Sequence, residues 1–523
     1  MSGSPDIIIG VDAGTSVMKA VAFQLDGTQI ATSAIKNSYK TSSNGAATQP
    51  MGRTWDDCAS AILSLSDKIP DLKNRTAAIA VTGQGDGTWL MDKSNQPLTD
   101  AWLWLDARAA PTVETLSKSP LERERFEATG TGLNTCQQGS QLAHMEQFFP
   151  DLMDQAAISF HCKDWLYYCL TDVIATDPSE ASFTFGDFRT RQYSENVISA
   201  LGLSRRRYLL PDILDGTKTT HPLSNDAAKK CGLRSGTPVS LGYVDMIMTA
   251  LGAGIYTGEA GVACSALGST GVHMKAVKAE AVKLGQEHTG YVLCLPHEDI
   301  VAQTQTNMAA TLNLDWVLDL GADLVGQFTT KPSHNEMLAH VGGWIEAAEP
   351  CALLYHPYIS EAGERGPYTN PDARASFNGM SSNTDYANLV RSVVEGLAMA
   401  ARDCYQAMGE LPREVRLTGG AARSEELRHI LSASLQAPIR NSSRDEAGAA
   451  GAAMMAAVAI GAFDDMHACI DVWVTPLLGR SEFADQKVID QYDQLYETYK
   501  ECRQNMSMTW SMMAQIRRQK DEA

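Results

Sequence analysis

The sequence predicts an α/β protein of two domains that face each other across a cleft. Three observations lead there. At 523 residues the chain is too long for a single hydrophobic core. Two small-residue turns sit between apolar runs, Ala13-Gly14-Thr15-Ser16 within Ile7 to Phe23 and Gly268-Ser269-Thr270 within the hairpin that opens at Gly261. In each half a further apolar strand then runs into a glycine-rich loop, Gly83 to Gly87 in the first and Gly419-Gly420 in the second.

Composition narrows the class. Hydrophobic residues make up 44% and charged residues 20%, the balance of an ordinary globular protein. A formal net charge of −19 excludes a nucleic-acid or anionic-membrane surface as partner. Phosphates can still bind, but at local sites built from backbone amides, a few cations and a metal. Eleven scattered cysteines with no CxxC argue against structural zinc and a disulfide framework, and for free thiols in a reducing compartment. No cationic segment precedes a long apolar stretch, so no secretory signal is expected. The uncharged run Ala447 to Phe463 falls short of the roughly 20 residues of a spanning helix and is expected to be a buried helix. A cytoplasmic location follows.

Ile7 to Phe23 predicts strand, tight turn, strand. Gly14 lets backbone N–H groups face a phosphate without an intervening Cβ. Thr15 and Ser16 add hydroxyls, and Asp12 can hold a divalent ion against the same phosphate. The alternative is an ordinary hairpin. No Gly-Lys-Ser/Thr ends the turn, so it is not a Walker loop.

A strand over Ile30–Ile35 and a helix over Trp55–Ile69 follow, the helix from its apolar spacing. Ala77–Thr82 predicts a buried strand that delivers Gln84 and Asp86 to a strand end, where open α/β sheets bind ligands. A plain turn with Asp86 solvated is the competing explanation. Trp102 and Trp104 alternate as in a strand lining an apolar wall, with Asp106 and Arg108 placed to pair. His161–Tyr167 predicts a short helix and Thr176–Ser182 a polar turn. Asp245 ends an apolar strand and begins a helical segment, so its carboxylate can accept a proton from a substrate hydroxyl; helix capping would explain it equally well.

In the second half Gly261–Gly271 repeats the logic of the first hairpin. Val415–Glu425 reads as strand, diglycine turn, then helix, in which a flat purine can lie on Gly419-Gly420 and the helix start at Ala421, Arg423 and Ser424 offers polar donors. A common αβ turn is the alternative. Val488, Tyr492, Leu495, Tyr496 and Tyr499 form one apolar stripe on a C-terminal helix. Beyond Met506 the Met- and Trp-containing segment fits peripheral packing first and a homodimer contact second.

Taken together these segments carry a resemblance. Asp12-Ala-Gly-Thr-Ser16 with Lys19 resembles the first phosphate motif of the actin-like ATPases, in their sugar-kinase branch. Gly83-Gln84, Leu103-Trp-Leu-Asp-Ala-Arg108, Lys163-Asp-Trp-Leu166, Asp177-Pro-Ser-Glu-Ala181, Gly236-Thr-Pro-Val239 with Asp245, and Gly363-Glu-Arg365 are similar in order to landmarks of the FGGY carbohydrate kinases. Gly-Ser-Thr at 268–270 exchanges the hydroxyls of the family's usual turn, and Asn307-Met308 departs from an expected pair of small residues.

The resemblance implies two ribonuclease-H-like domains: a polyol-binding domain over 1–255, a nucleotide-binding domain over 256–475, and a helical extension over 476–523 packed on the second. It implies Asp245 as catalytic base, with Gln84, Asp86, Trp104 and Asp245 on the substrate. ATP would meet Thr15, Ser16, Gly268, Ser269, Thr270, Gly419, Gly420, Ala421, Arg423 and Ser424, and Mg²⁺ would meet Asp12 and Asp245. Asp86 stands where glycerol kinases carry a polyol-binding Glu, which implies a small linear polyol. Gly83-Gln-Gly-Asp-Gly87, Trp102–Arg108 and His161-Cys-Lys-Asp-Trp165 are most similar to the erythritol-phosphorylating branch. Glycerol, ribitol, xylulose or ribulose remain alternatives, as does a non-metabolic actin-like ATPase.

Overall fold

The run Ile7–Ala13 alternates little and is buried on both faces, which makes it a central strand, β1. Small residues turn the chain into antiparallel β2 (Val17–Gln24) and then β3 (Gln29–Lys36). Helix α1 (Met51–Ser64) leads to β4 (Thr76–Gly83), which pairs parallel with β1. The chain then forms α2 (Cys162–Thr171) and α3 (Pro178–Phe185). Strands β5 (Thr220–Pro222) and β6 (Pro238–Leu241) complete a six-stranded sheet of order β5-β6-β4-β1-β2-β3. The computed structural model describes residues 5–521.

Helix α4 (Asp245–Ala253) crosses to the second half. There β7 (Val262–Leu267), β8 (Gly271–Lys278), β9 (Tyr291–Cys294) and β10 (Ile300–Asn307) precede α5 (Thr311–Gly326) and α6 (Tyr386–Ala407). Strands β11 (Glu414–Thr418) and β12 (Ile439–Asn441) flank α7 (Glu425–Leu435), giving the order β9-β10-β8-β7-β11-β12. Each sheet therefore holds an antiparallel meander (β3-β2-β1; β10-β8-β7) extended by two parallel strands (β4-β6; β11-β12). That duplicated topology is the ribonuclease-H-like arrangement, and the fold class expected from the two hairpins is present.

Helix α8 (Ala447–Ala459) follows the second sheet in sequence yet lies on the first. A Cβ at Gly10 would stand 2.2 Å from the Ala449 carbonyl oxygen, and one at Gly451 would stand 2.1 Å from that of Met248 in α4. Glycine lets strand, α8 and α4 stack backbone to backbone. Ile8, Val21 and Phe23 thereby join Cys264 and Met274 in one apolar core through α4 and α8, while the outer faces of the two sheets keep cores of their own. Helix α9 (Gln486–Asp521) buries Tyr492, Tyr496 and Tyr499 against the second sheet's helices, with Tyr492 and Tyr496 hydroxyls donating to Glu395 and Asp403 at 2.8 Å each. Beyond Met506, Trp510 is buried while Met508, Met512, Met513 and Ile516 are exposed. No helix among the described residues is long and apolar enough to cross a membrane.

Three local expectations change. The first helix begins at Met51 rather than Trp55, because Pro50 precedes it where a missing N–H costs nothing and Met51 is already buried. Only Ala101–Trp102 is strand; Trp104 lies on a turn. The Asp106 carboxylate accepts from the Ala47 and Arg108 N–H groups at 2.9 and 3.0 Å and draws the chain around, while also pairing with the Arg108 side chain at 2.6 Å. Thr176–Ser182 is not a polar turn: Thr176 ends a short strand, Asp177 caps α3 from Pro178 on, and the segment is buried throughout.

Candidate active site

The turn at 14–16 and the loop after β4 meet because β1 and β4 are parallel neighbours, with Asp12 beside Thr82 and Ala13 beside Gly83. Thr15 Oγ1 donates to Gln84 Oε1 at 3.2 Å and accepts from the Trp104 indole N–H at 2.8 Å. Gln84 Nε2 donates to Gln49 Oε1, Gln49 Nε2 to Asn37 Oδ1, and Asn37 Nδ2 to the Gly14 carbonyl, each at 3.1–3.2 Å. An amide ring thus fixes the phosphate-type turn to the Gln84 loop. Ser16 stands exposed at its tip. Asn37 and Gln49 carried no recognisable sequence signal, since their partners lie in other elements.

Asp12 faces Lys19 across the hairpin, and Lys19 in turn pairs with Glu446 at 2.8 Å. Burial pushes the Asp12 carboxyl up to about 6; Lys19 opposes this and Glu446 adds to it. A Cβ at Gly448 would stand 2.6 Å from Asp12 Oδ2, so only glycine leaves that carboxylate its place. Asp86 occupies the left-handed region at φ +57, held by the Gly87 N–H donating to the Cys136 carbonyl at 2.9 Å. Its Oδ1 is buried without a partner among the described residues. Burial raises this carboxyl to about 6, against the Cys136 thiol and His161. A solvated turn is therefore the wrong account of Asp86.

Asp245 is the first residue of α4, behind Val244, which occupies the N-cap without a side-chain capping bond. Its Oδ1 accepts only from the adjacent Met246 N–H at 2.6 Å. Burial pushes its carboxyl far above the usual range, and the neighbouring Asp12, Glu180 and Asp86 push it further. Glu180, which the sequence did not single out for chemistry, is fully buried with neither oxygen hydrogen-bonded; burial raises it to about 7, and His161 Nε2 lies 3.5 Å away. Three carboxyls thus act electrostatically on a fourth, that of Asp245. Behind them Lys163, also fully buried, lies 2.6 Å from Asp164 and 2.5 Å from Asp177.

On the opposite side Gly268, Ser269 and Thr270 form an exposed turn. The start of α5 supports it: Thr311 N–H donates to the Gly268 carbonyl at 3.0 Å and Ala310 N–H to that of Ser269 at 2.8 Å. Gly419 has φ +92, and a Cβ there would stand 2.7 Å from the Leu267 carbonyl oxygen, so the diglycine and the hairpin abut. Gly420 faces open space and Arg423 is exposed. Ser424 caps α7, accepting from the Leu427 N–H at 3.2 Å. The side chain of Ala421 lies outside the described residues. If the diglycine carries the adenosine that the resemblance implies, replacing Gly420 with Leu should fold normally and raise the KM for ATP at least about tenfold, with the KM of the second substrate within about twofold; steady-state kinetics in both substrates check this.

The Asn307-Met308 departure is accommodated by backbone. Met308 N–H donates to Glu364 Oε1 at 3.0 Å, beside the Arg365 N–H at 2.8 Å, and Asn307 Nδ2 donates to the Gly366 carbonyl at 3.2 Å. Arg365 is exposed, has no hydrogen bond or ion pair from its guanidinium among the described residues, and acts electrostatically on Cys136 beside Asp86. The second half therefore contributes a cation that acts on the surroundings of Asp86.

Known proteins are similar to this chain over nearly its whole length. Residues 7–252 match the FGGY family of carbohydrate kinases, N-terminal domain, and residues 263–460 its C-terminal domain. The chain is 59% identical over 509 residues to a Brucella abortus protein named erythritol kinase, covering 97% of this chain and 98% of that one. It is 29% identical over 429 residues to xylulose kinase of Escherichia coli, covering 81% and 84%. Among solved structures, ligand-bound xylulose kinase from Lactobacillus acidophilus superposes with a TM-score of 0.86 at 19% identity, covering 97% of this chain and 99% of that one. Plasmodium falciparum glycerol kinase with ADP gives 0.81 at 18%, covering 95% and 97%. Those two likenesses speak for the fold, and the family matches span both sheets: the chain belongs to the FGGY family of carbohydrate kinases.

Proposed function

We propose that this kinase transfers the γ-phosphoryl group of ATP to a terminal hydroxyl of erythritol, giving erythritol 4-phosphate. The observation that carries the substrate is the 59% identity over nearly the whole chain to a protein named erythritol kinase. The polyol lies between Gln84, Asp86, Trp104 and Asp245. Adenosine lies on Gly419-Gly420 beside Ala421, Arg423 and Ser424, with its phosphates toward Gly268-Ser269-Thr270 and the turn at Thr15-Ser16. Asp245 takes the hydroxyl proton as the oxygen attacks in line, and most of the acceleration comes from positioning and electrostatics.

Magnesium fits the donors present. Asp12 and Asp245 are oxygen ligands whose like charges already act on each other. Among the described residues no three His, Cys, Asp or Glu side chains converge to hold an ion unaided. That suits an ion that keeps waters and phosphate oxygens in its shell. When bound, it offsets charge on the β- and γ-phosphates. The cysteines, all unpaired, suit a reducing cytoplasmic setting.

The test is ADP release coupled to a reporter, run with erythritol, glycerol, ribitol, xylulose, ribulose and no acceptor. Erythritol should give the highest kcat/KM by at least about tenfold. Equal turnover without acceptor overturns the assignment.

Asp86 supplies a further check. Its folded carboxyl titrates near 6, above the 3.8 of an unperturbed aspartate. The native state therefore holds the proton more tightly, and the empty protein loses stability as pH rises from about 4 to about 6. Asp86→Asn should raise the polyol KM by about 10–100-fold through a lost charged hydrogen bond. The same change should stabilise the empty protein at pH 7.5 by roughly 1–2 kcal/mol, with no gain at pH 4. Thermal unfolding at both pH values reads the second half.

A further inference from the structure

Segment 242–244, which carries Asp245, is tied down from two sides. On the sheet side Gly242 N–H donates to the Val81 carbonyl at 2.8 Å and Thr82 Oγ1 donates to the Tyr243 carbonyl at 2.6 Å. On the other side the Val244 N–H donates to Ser179 Oγ at 3.1 Å. Ser179 gives its one hydroxyl hydrogen to Asp177 Oδ1 at 2.5 Å, which leaves only lone pairs to face Val244. Asp177 in turn pairs with Lys163 at 2.5 Å, and none of these three side chains reaches solvent.

We propose that Ser179, oriented by the Lys163–Asp177 pair, is a positioning residue that fixes Asp245 where it can take the proton of the substrate hydroxyl. The inference rests on Asp245 acting as the base. Its physical motive is geometric. Asp245 stands at the first turn of α4, where a helix frays most readily, and its carboxylate is held only by the adjacent Met246 N–H among the described residues. A bond from the residue immediately before it to a buried, ion-paired anchor resists that fraying. The sheet-side bonds end at Tyr243, so Ser179 is the contact nearest to Asp245 on this segment.

The test uses the full-length protein with Ser179→Ala, Ser179→Thr and the double change Ser179→Ala with Asp245→Asn. Ser179→Ala should lower kcat by about 10–100-fold through misplacement, with both KM values within about twofold. Ser179→Thr, which keeps the hydroxyl, should recover most of the loss. In the Asp245→Asn background Ser179→Ala should cost nothing further, because there is no base left to position. A kcat near parental for Ser179→Ala, while Asp245→Asn collapses, overturns the positioning role and leaves the base intact. Parental kcat for Asp245→Asn overturns the base itself. Equal losses for Ala and Thr, or a full additional loss in the Asn background, mark Ser179 as merely structural and overturn the proposal. Should Ser179→Ala fail to fold, Ser179→Cys, nearly the same shape with a weak acceptor, is judged by the same kcat criterion.

Discussion

Asp245→Asn should lower kcat by about 10²–10⁴-fold, the usual contribution of a general base, or roughly 3–5 kcal/mol of barrier. The amide keeps the shape and can still accept the Met246 N–H, so α4 should start where it does now. Affinity for ATP should stay within a few-fold. Capping offered a rival account, under which the change would cost about 1 kcal/mol of stability and leave turnover alone. Val244 occupies the cap and the Asn amide can keep the one bond Asp245 makes, to the Met246 N–H, so that loss is not expected. The sign on stability runs the other way. A carboxyl raised by burial and by Asp12, Glu180 and Asp86 costs free energy when ionised, so the neutral amide should leave the protein as stable as the parent or more so. A folded Asp245→Asn protein that turns over erythritol at close to the parental rate would refute the base.

What the sequence made legible follows from range. The two hairpins, the strands feeding Gln84 and Gly419, and the start of α4 at Asp245 are set by short apolar runs and glycines, and each formed as expected. The tryptophan pair misled because alternation extends past the point where Asp106 turns the chain by accepting N–H groups from Ala47 and Arg108. Helix α8 announced its burial, being Ala and Gly almost throughout, but a uniformly small helix carries no sign of which sheet it covers. Glu180 and the amides of Asn37 and Gln49 were invisible for the same reason. A polar residue's role is fixed by partners far along the chain, here Thr15, Gln84 and His161.

The polar stretch 176–182 gives the clearest case and the largest stability effect. Its Asp177 is paired, though buried, because Lys163 reaches it from α2, where it also meets Asp164. Lys163→Met fills most of the same volume but leaves Asp164 and Asp177 without their cation, and breaking a buried pair in this way costs about 3–5 kcal/mol at pH 7. Replacing a full pair with apolar groups would cost far less; the damage comes from the charges left behind. Burial alone would raise Asp164, but Lys163 and then His161 overcome it and hold the carboxyl at about 2, below the unperturbed 3.8. That stabilisation is complete above about pH 4 and is lost as pH falls through about 2. Without Lys163 the native protein can instead protonate Asp164 more readily, so the penalty should shrink as pH is lowered from 7 to 4. Denaturant unfolding of parent and variant at the two pH values measures it. A difference below about 1 kcal/mol at pH 7, or one that does not change with pH, would mean that His161 alone offsets the charge on Asp164 and that Lys163 is not what lowers it.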